Sequence, residues 1–267
     1  PSARVTFLGT GPSHGVPMIG CRCAVCRSGD PHDRRSRPSI HIAVQDGPAI
    51  LVDTATDLRA QALANDITRV DAVLFTHAHA DHVMGLDEVR RFNVLSGRRI
   101  PMYADARTGA ELRRIFAYAF DPPAFQGGGI PEVSLQPIDG PLTVQGLDIV
   151  PVPVMHGPTP VLGFRVGRFA YLTDCNAIPE PSFPLLEGLD VLVLDALRHK
   201  PHPTHFSLSE AVATATRIGA RQTFFTHICH DLSHAATNAT LPAGMALAFD
   251  GQTIDLGDVP YHAGTAA

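Results

Sequence analysis

The stretch His77-Ala78-His79-Ala80-Asp81-His82 places three imidazoles and one carboxylate within six residues. It follows the largely apolar run Asp71-Ala72-Val73-Leu74-Phe75-Thr76, which is typical of a buried strand. The polar side chains therefore belong to a loop at the end of a strand, where α/β folds place their chemistry. Because neutral imidazole nitrogens and carboxylate oxygens are good ligands for zinc, iron or manganese, the stretch predicts a metal site.

Three further polar residues each close an apolar, strand-like segment later in the chain. They are His156 after Ile149–Val154, Asp174 after Tyr171–Leu172, and His227 after Phe224–Phe225. Separate strands that end at one edge of a sheet bring their end residues together. We therefore expect these three side chains to join the 77–82 loop.

The H-x-H-x-D-H pattern at 77–82, with the later candidates in the same order, resembles the metallo-β-lactamase superfamily over nearly the whole chain. The resemblance implies an α/β fold, the four-layer αββα sandwich, with the metal site along one edge. It also implies two divalent ions, manganese or zinc. One ion would be held by His77, His79, His156 and Asp174. The other would be held by Asp81, His82, Asp174 and His227, with Asp174 bridging.

The composition favours a compact enzyme. Of the 267 residues, 45% are hydrophobic and 18% are charged, and the net charge is −5. This predicts a single metallo-β-lactamase-fold domain over residues 1–267, with no global basic field to attract nucleic acid. No apolar run approaches the ~20 residues of a membrane helix. No signal-peptide pattern stands at the start, and the five cysteines do not suggest a secreted disulfide framework, so a cytoplasmic location is expected.

Strand and helix patterns alternate along the chain. Predicted strands cover residues 4–8, 40–44, 49–52, 71–75, 100–104, 147–154, 162–166, 169–172, 191–194 and 222–225. Predicted helices cover residues 57–64, 86–92, 108–119 and 208–218. Ser207 and Glu210 form a capping box at the start of the last helix, and Gly219 ends it. Residues 120–131, rich in Pro and Gly, are predicted to be a loop.

Cys21, Cys23 and Cys26 form a second cluster of candidate ligands. Three thiols in six residues are typical of a zinc knuckle, and a structural zinc site needs a fourth ligand. His230 is the best candidate, and Cys229 is its rival. We therefore predict a zinc loop at about residues 21–26, against the alternative of three reduced, buried cysteines.

This loop narrows the resemblance to one branch of the superfamily. With Leu8-Gly9-Thr10-Gly11 and Gly15-Val16-Pro17, it resembles the PhnP-type, ribonuclease Z-related phosphodiesterases, which open 5-phosphoribosyl 1,2-cyclic phosphate. They carry a zinc site of three cysteines and a late histidine, and the T-H-x-x-H motif at 226–230 also matches. No basic, glycine-rich insertion is long enough for the tRNA-binding arm of ribonuclease Z. The hydroxylase of pyrroloquinoline quinone biosynthesis shares a cysteine loop, but the complete two-metal ligand set favours the phosphodiesterase.

The resemblance also implies catalytic roles. His205 lies where a histidine of the phosphodiesterase branch approaches the scissile phosphate, and His199 and His202 are its rivals. A hydroxide bridging the two ions would attack phosphorus, with Asp81 orienting it and His205 protonating the leaving group. We therefore predict a metal-dependent hydrolase of a cyclic or linear phosphate diester.

Two other functions remain open from the sequence. One is a different hydrolysis on the same fold, of a thioester, a lactone or RNA. The other is an iron-binding redox protein. The expected partner is a small-molecule phosphodiester, and neither a membrane nor a stable nucleic-acid partner is expected. The sequence leaves the oligomeric state open between a monomer and a homodimer.

Overall fold

The computed structural model describes residues 1–121 and 129–263. The first sheet contains β1 (Ser2–Gly9), β2 (Ser39–Val44), β3 (Ala49–Val52), β4 (Ala72–Leu74), β5 (Ile100–Ala104), β6 (Val133–Pro137) and β14 (Thr253–Asp258). The second contains β7 (Leu142–Val144), β8 (Leu147–His156), β9 (Thr159–Val166), β10 (Phe169–Leu172), β11 (Val191–Asp195), β12 (Gln222–Thr226) and β13 (Met245–Leu247). The helices are α1 (Leu58–Ala64), α2 (Ala80–Val83), α3 (Val89–Ser96), α4 (Ala106–Ile115), α5 (Ala117–Phe120), α6 (Leu208–Ile218) and α7 (His234–Asn238).

The two sheets repeat one pairing scheme. The first has the order β14-β1-β2-β3-β4-β5-β6, antiparallel as far as β3 and parallel from β3 to β6. The second, read as β7-β8-β9-β10-β11-β12-β13, is antiparallel as far as β10 and parallel from β10 to β13. In each half, neighbouring parallel strands therefore present their carboxyl ends at one edge, where α/β sheets place ligands.

Three hydrophobic clusters define the layers. Phe7 and Phe164 belong to the cluster that the two sheets share. Val73 of β4 packs with the helices of the first half. Leu194 of β11 packs with Ala211 of α6 on the outer face of the second sheet. Helices thus cover the outside of both sheets, and the predicted αββα sandwich is confirmed.

Most predicted elements are present, and the differences are of two kinds. The strands predicted at 100–104 and 169–172 and the helix at 208–218 have the predicted bounds, and Ser207 and Glu210 form the capping box. The helix predicted at 108–119 is instead divided at Phe116 into α4 and α5. Short or edge elements were missed, such as β14, whose exposed strand lacks a continuous apolar run. The predicted 120–131 loop lies mostly outside the described residues.

No helix in residues 1–121 and 129–263 combines the length and apolar character needed to cross a bilayer.

Candidate metal centre

The structure gathers the seven predicted ligands into two adjoining groups. Both groups contain Asp174, and within each the potential ligand atoms lie within 4.8 Å of one another. The first group consists of His77, His79, His156 and Asp174. The second consists of Asp81, His82, Asp174 and His227. These are the same two sets that the sequence resemblance implies.

Strand ends and sharp turns bring these side chains together. His77 follows β4, His156 is the last residue of β8, and Asp174 and His227 follow β10 and β12. Asp174 and His227 have φ values of 54° and 59°, in the left-handed region that non-glycine residues rarely occupy. Such strained backbone clusters at functional sites, and here it occurs at the turns that carry the ligands. His79 occupies the N-cap position of α2, which carries Asp81.

Asp174 lies between the two groups. Its Oδ1 is 3.1 Å from His82 Nε2, and its Oδ2 is 3.7 Å from His77 Nε2 and 3.2 Å from His227 Nε2. The side chain is 3% exposed, so its charge is desolvated and requires compensation by nearby cations. A carboxylate with both oxygens facing ligand nitrogens has the position of a bridging ligand.

Buried nitrogens without hydrogen bonds indicate that the residues fit metal ions. The Nε2 atoms of His82 and His227 are buried and have no hydrogen-bond partner among the described residues. Leaving a buried polar atom unsatisfied is costly, and such an atom in a native structure calls for an explanation, such as an ion. Imidazole nitrogens with carboxylate oxygens also suit zinc, iron or manganese. We conclude that the donor set and its burial fit divalent cations.

The carboxylates also control the protonation of the imidazoles. Burial lowers the pKa of His227, but the nearby carboxylates of Asp174, Asp81 and Asp195 together outweigh burial and raise that pKa to about 10. Burial lowers the pKa of His77 well below its ordinary value. A metal ion must therefore compete with a proton at His227, so we expect metal affinity to fall as the pH is lowered.

Asp53 contacts the candidate ligand His82 and was not among the predicted site residues. Its Oδ2 lies 2.7 Å from His82 Nδ1 and accepts a hydrogen bond of 2.8 Å from the Thr76 hydroxyl. The carboxylate accepts the Nδ1 proton of His82, which leaves Nε2 as the ligand atom. Asp53 has a φ of 63° and directly follows β3, so the strand-end rule that selected Asp174 could also have selected it.

A substitution of Asp53 should weaken metal binding, because Asp53 contacts the candidate ligand His82. We expect Asp53→Asn to lower metal affinity or activity by about 10- to 100-fold, because the partner that fixes the His82 ring is weakened. Metal titration of the chelator-treated protein measures the effect, with exposed Asp139→Asn as the matched control. Equal affinities in the two variants would show that Asp53 does not position His82.

His205 lies beside both ligand groups. Its ring stacks on that of His227, with centroids 4.5 Å apart, and lies 4.7 Å from that of His156. Its Nδ1 is 2.6 Å from Oδ2 of the fully buried Asp195. The carboxylate accepts the Nδ1 proton, so Nε2 is the atom available for proton exchange. Asp195, the last residue of β11, was also missed by the sequence analysis.

The rivals of His205 are arranged differently. The His202 ring lies 5.1 Å from that of His205, but it belongs to none of the described ligand groups. His199, also predicted as a rival, likewise belongs to none of these groups. Of the three histidines, His205 is the one grouped with Asp195 and His227.

The cysteine loop forms a separate ligand group with His230. His230 Nδ1 lies 3.2, 3.4 and 3.5 Å from the sulfurs of Cys21, Cys23 and Cys26. The buried Cys229 sulfur instead accepts the Asp231 N–H at 3.4 Å. The Cys26 N–H hydrogen bond to Cys23 lowers the pKa of that thiol to about 6, which favours the thiolate that zinc requires. The four atoms suit a closed structural zinc site.

The group of Cys21, Cys23, Cys26 and His230 predicts a bound zinc ion that stabilises the fold. Cys23→Ser should remove this ion. A site saturated at 100 to 1,000 times its Kd contributes about 2.7–4.1 kcal/mol to the free energy of unfolding. At ~2–4 °C per kcal/mol, Cys23→Ser should lower Tm by roughly 5–15 °C and the zinc content by one ion per chain. Elemental analysis and thermal unfolding measure both. Cys229→Ser is the control and should retain the zinc. Loss of zinc in Cys229→Ser would instead assign the fourth ligand to Cys229.

Comparisons with known proteins agree with the fold. A family model described as a β-lactamase superfamily domain matches residues 49–228. A crystal structure described as a new diphosphatase from the PhnP family is 46% identical, covers 97% of this chain and 99% of its own, and has a TM-score of 0.90. The predicted superfamily and its PhnP-type branch are therefore confirmed.

Two curated relatives carry other names. An octanoyltransferase of Porphyromonas gingivalis is 36% identical over 250 residues, which are 93% of this chain and 50% of that protein. The chain thus spans about half the length of this relative. Coenzyme PQQ synthesis protein B of Methylobacterium nodulans is 27% identical over 220 residues, 71% of each chain.

Proposed function

Because this chain belongs to the β-lactamase superfamily, we propose that it is a metal-dependent hydrolase of phosphate diesters, cyclic or linear. The observation that carries the proposal is the buried carboxylate of Asp174, shared by two ligand groups. Two divalent ions held there would supply a hydroxide near neutral pH and offset charge on the phosphoryl oxygens. The fold of the superfamily implies such ions, and we propose manganese or zinc.

Asp81 accounts for the orientation of the attacking water, and His205 with Asp195 accounts for proton transfer. Asp81 Oδ2 lies 3.4 Å from His82 Nε2 and 3.6 Å from His227 Nε2, where a carboxylate can orient the attacking water. His205 donates a proton to the leaving alkoxide from Nε2, while Asp195 holds Nδ1 and stabilises the charged imidazole. Water adds to phosphorus, the phosphorus–oxygen ester bond breaks, and the products are a monoester and a hydroxyl group.

The Asp195–His205 pair supports a phosphate diester over a thioester. A sugar alkoxide is a poor leaving group without a proton, whereas a thiolate needs little assistance. The 46% identical diphosphatase supports attack at phosphorus and also favours a second candidate, the hydrolysis of a phosphoanhydride. In that reaction the attacking water and the ligand groups would be the same, and the leaving group would be a phosphate.

A substrate panel tests this proposal. It compares ribose 1,2-cyclic phosphate, bis(4-nitrophenyl) phosphate, a diphosphate diester, an acyl thioester and a lactone, each with manganese- or zinc-loaded protein. We expect kcat/KM for at least one phosphate substrate to exceed that for the thioester and the lactone by about 100-fold or more, the range of a positioned acid. Preference for the diphosphate would select the second candidate.

Other outcomes of the panel would overturn the proposal. Fastest turnover of the thioester would favour the acyl chemistry that the name of the octanoyltransferase describes. A coloured, iron-containing protein that hydrolyses none of the substrates would favour a redox function. We also propose that the physiological partner is a small-molecule phosphodiester rather than a nucleic acid.

A further inference from the structure

A cavity of about 730 Å³ lies between the loop that precedes the cysteines and the segment that precedes β2. Its lining includes Arg34, Arg35 and Arg37 from the segment and Met18 and Ile19 from the loop. The cavity shares no residue with either ligand group of the metal centre. The hydrolase function proposed above therefore leaves this cavity without a role.

The loop that forms one side of the cavity is fixed at two points. Val16 and Arg35 exchange backbone hydrogen bonds of 2.8 and 2.7 Å. The Met18 N–H donates to the sulfur of Cys26 at 3.4 Å, so the loop is also attached to the cysteine group. A preformed cavity loses less conformational freedom when a ligand binds than a mobile one does.

The charged side chains of the lining are three arginines and two carboxylates. Arg37 Nη1 lies 3.2 Å from Asp57 Oδ1, and Asp250 is the carboxylate whose charge acts most strongly on Arg35. Arg34 is exposed, and its side chain has no hydrogen bond or ion pair with the described residues. One positive charge thus remains without a partner in the cavity, which favours an anionic ligand.

The arginines of the lining also hold hydrogen-bond donors that are not used. The Nε atoms of Arg35 and Arg37 are buried and have no hydrogen-bond partner within the described part of the chain, although Arg35 is only 3% exposed. A buried donor without an acceptor is costly and calls for an explanation. Arginine N–H groups match the oxygens of a phosphate, so a phosphate group suits this wall.

Apolar side chains complete the lining. Pro17, Met18 and Ile19 contribute to it, and Ile19 is 99% exposed. An apolar group placed against these side chains would remove apolar surface from water, at about 25 cal/mol per Å². Free inorganic phosphate cannot use this contact. A phosphate ester with an apolar or aromatic part can use the arginines and the apolar side chains together.

We propose that this cavity is a second ligand site, separate from the metal centre, for a small phosphate ester that carries an apolar or aromatic group. Arg34 and its neighbouring arginines bind the phosphate, and Met18 and Ile19 contact the apolar group. The ligand is not the molecule that is hydrolysed, because the cavity contains none of the metal ligands. The inference is independent of the proposed function.

A fluorescent reporter at the cavity tests this site. The chain contains no tryptophan, so Ile19→Trp introduces a single one at an exposed position. AMP, inorganic phosphate and adenosine are titrated into the metal-loaded Ile19→Trp protein. We expect a saturable change in fluorescence with AMP and weaker binding of phosphate and of adenosine. Adding Arg34→Gln should raise Kd for AMP by about 10- to 100-fold, the value of a charge-assisted hydrogen bond.

The matched control adds Arg99→Gln, which removes an exposed arginine outside the cavity and should leave Kd unchanged. Arg34→Lys should recover part of the affinity, because it keeps the charge without the fork. The site would be overturned by the absence of a saturable change, by equal Kd values in the Arg34→Gln and Arg99→Gln proteins, or by equal Kd values for AMP and adenosine. A response that disappears in Asp174→Ala would also overturn it, because AMP would then bind at the metal centre.

Discussion

Asp174→Ala is expected to lower kcat for diester hydrolysis by more than the about 10- to 100-fold that loss of an outer partner of a metal ligand costs, because it removes a ligand itself. The substitution removes the carboxylate that lies 3.7 Å from His77 of the first group and 3.1 Å from His82 of the second, so both ligand groups lose a member. Elemental analysis should show fewer than two ions at the centre, while the zinc of the cysteine group remains. Steady-state kinetics and metal content are measured on the same preparation.

Asp139→Ala is the matched control, because Asp139 is exposed and belongs to neither ligand group. It should retain full activity and metal content. Circular dichroism of both variants separates loss of metal from loss of fold. A folded Asp174→Ala protein with wild-type activity would contradict the assignment of this carboxylate to the centre.

His205→Ala should have the second-largest effect, and its size should depend on the leaving group. A positioned acid contributes ~10²–10⁴-fold when the leaving group is a basic alkoxide. We expect a loss of this size for ribose 1,2-cyclic phosphate and a much smaller one for bis(4-nitrophenyl) phosphate, whose nitrophenolate leaves without a proton. Asp195→Asn should show the same selectivity, because it weakens the 2.6 Å contact that orients His205.

His202→Ala is the control for this pair, since its ring lies beside His205 but outside the ligand groups. Equal losses on both substrates in His205→Ala would point to phosphate binding rather than proton transfer. A selective loss in His202→Ala with none in His205→Ala would move the acid to His202.

The local pattern of the sequence was sufficient to select candidate ligands at strand ends, whereas their division into two groups came from the family resemblance. An apolar strand followed by His or Asp is a signal that can be recognised within a short segment. Because β10, β11 and β12 pair in parallel, the residues that follow these strands lie close together at one edge of the sheet. The same signal is present at Asp53 and Asp195. These two residues contact His82 and His205 and are not part of the family motif. The rule thus locates the edge of the sheet, but it does not distinguish a ligand from the residue that orients it.

Other features depend on contacts that no local pattern contains. The choice of His230 over Cys229 follows from a non-helical turn after β12, where His227 takes a positive φ and directs the two histidines to different groups. The missed edge strands likewise depend on pairing with a distant partner, as β14 does with β1.

The most direct test of a two-metal phosphodiesterase is the opening of ribose 1,2-cyclic phosphate, followed by ³¹P NMR during metal titration. The chelator-treated protein, with the zinc of the cysteine group retained, receives manganese or zinc in increments. We predict no turnover at the start, conversion to the monoester as metal is added, and a plateau near two equivalents per chain. Full turnover before metal is added, or none at any loading, would contradict this account.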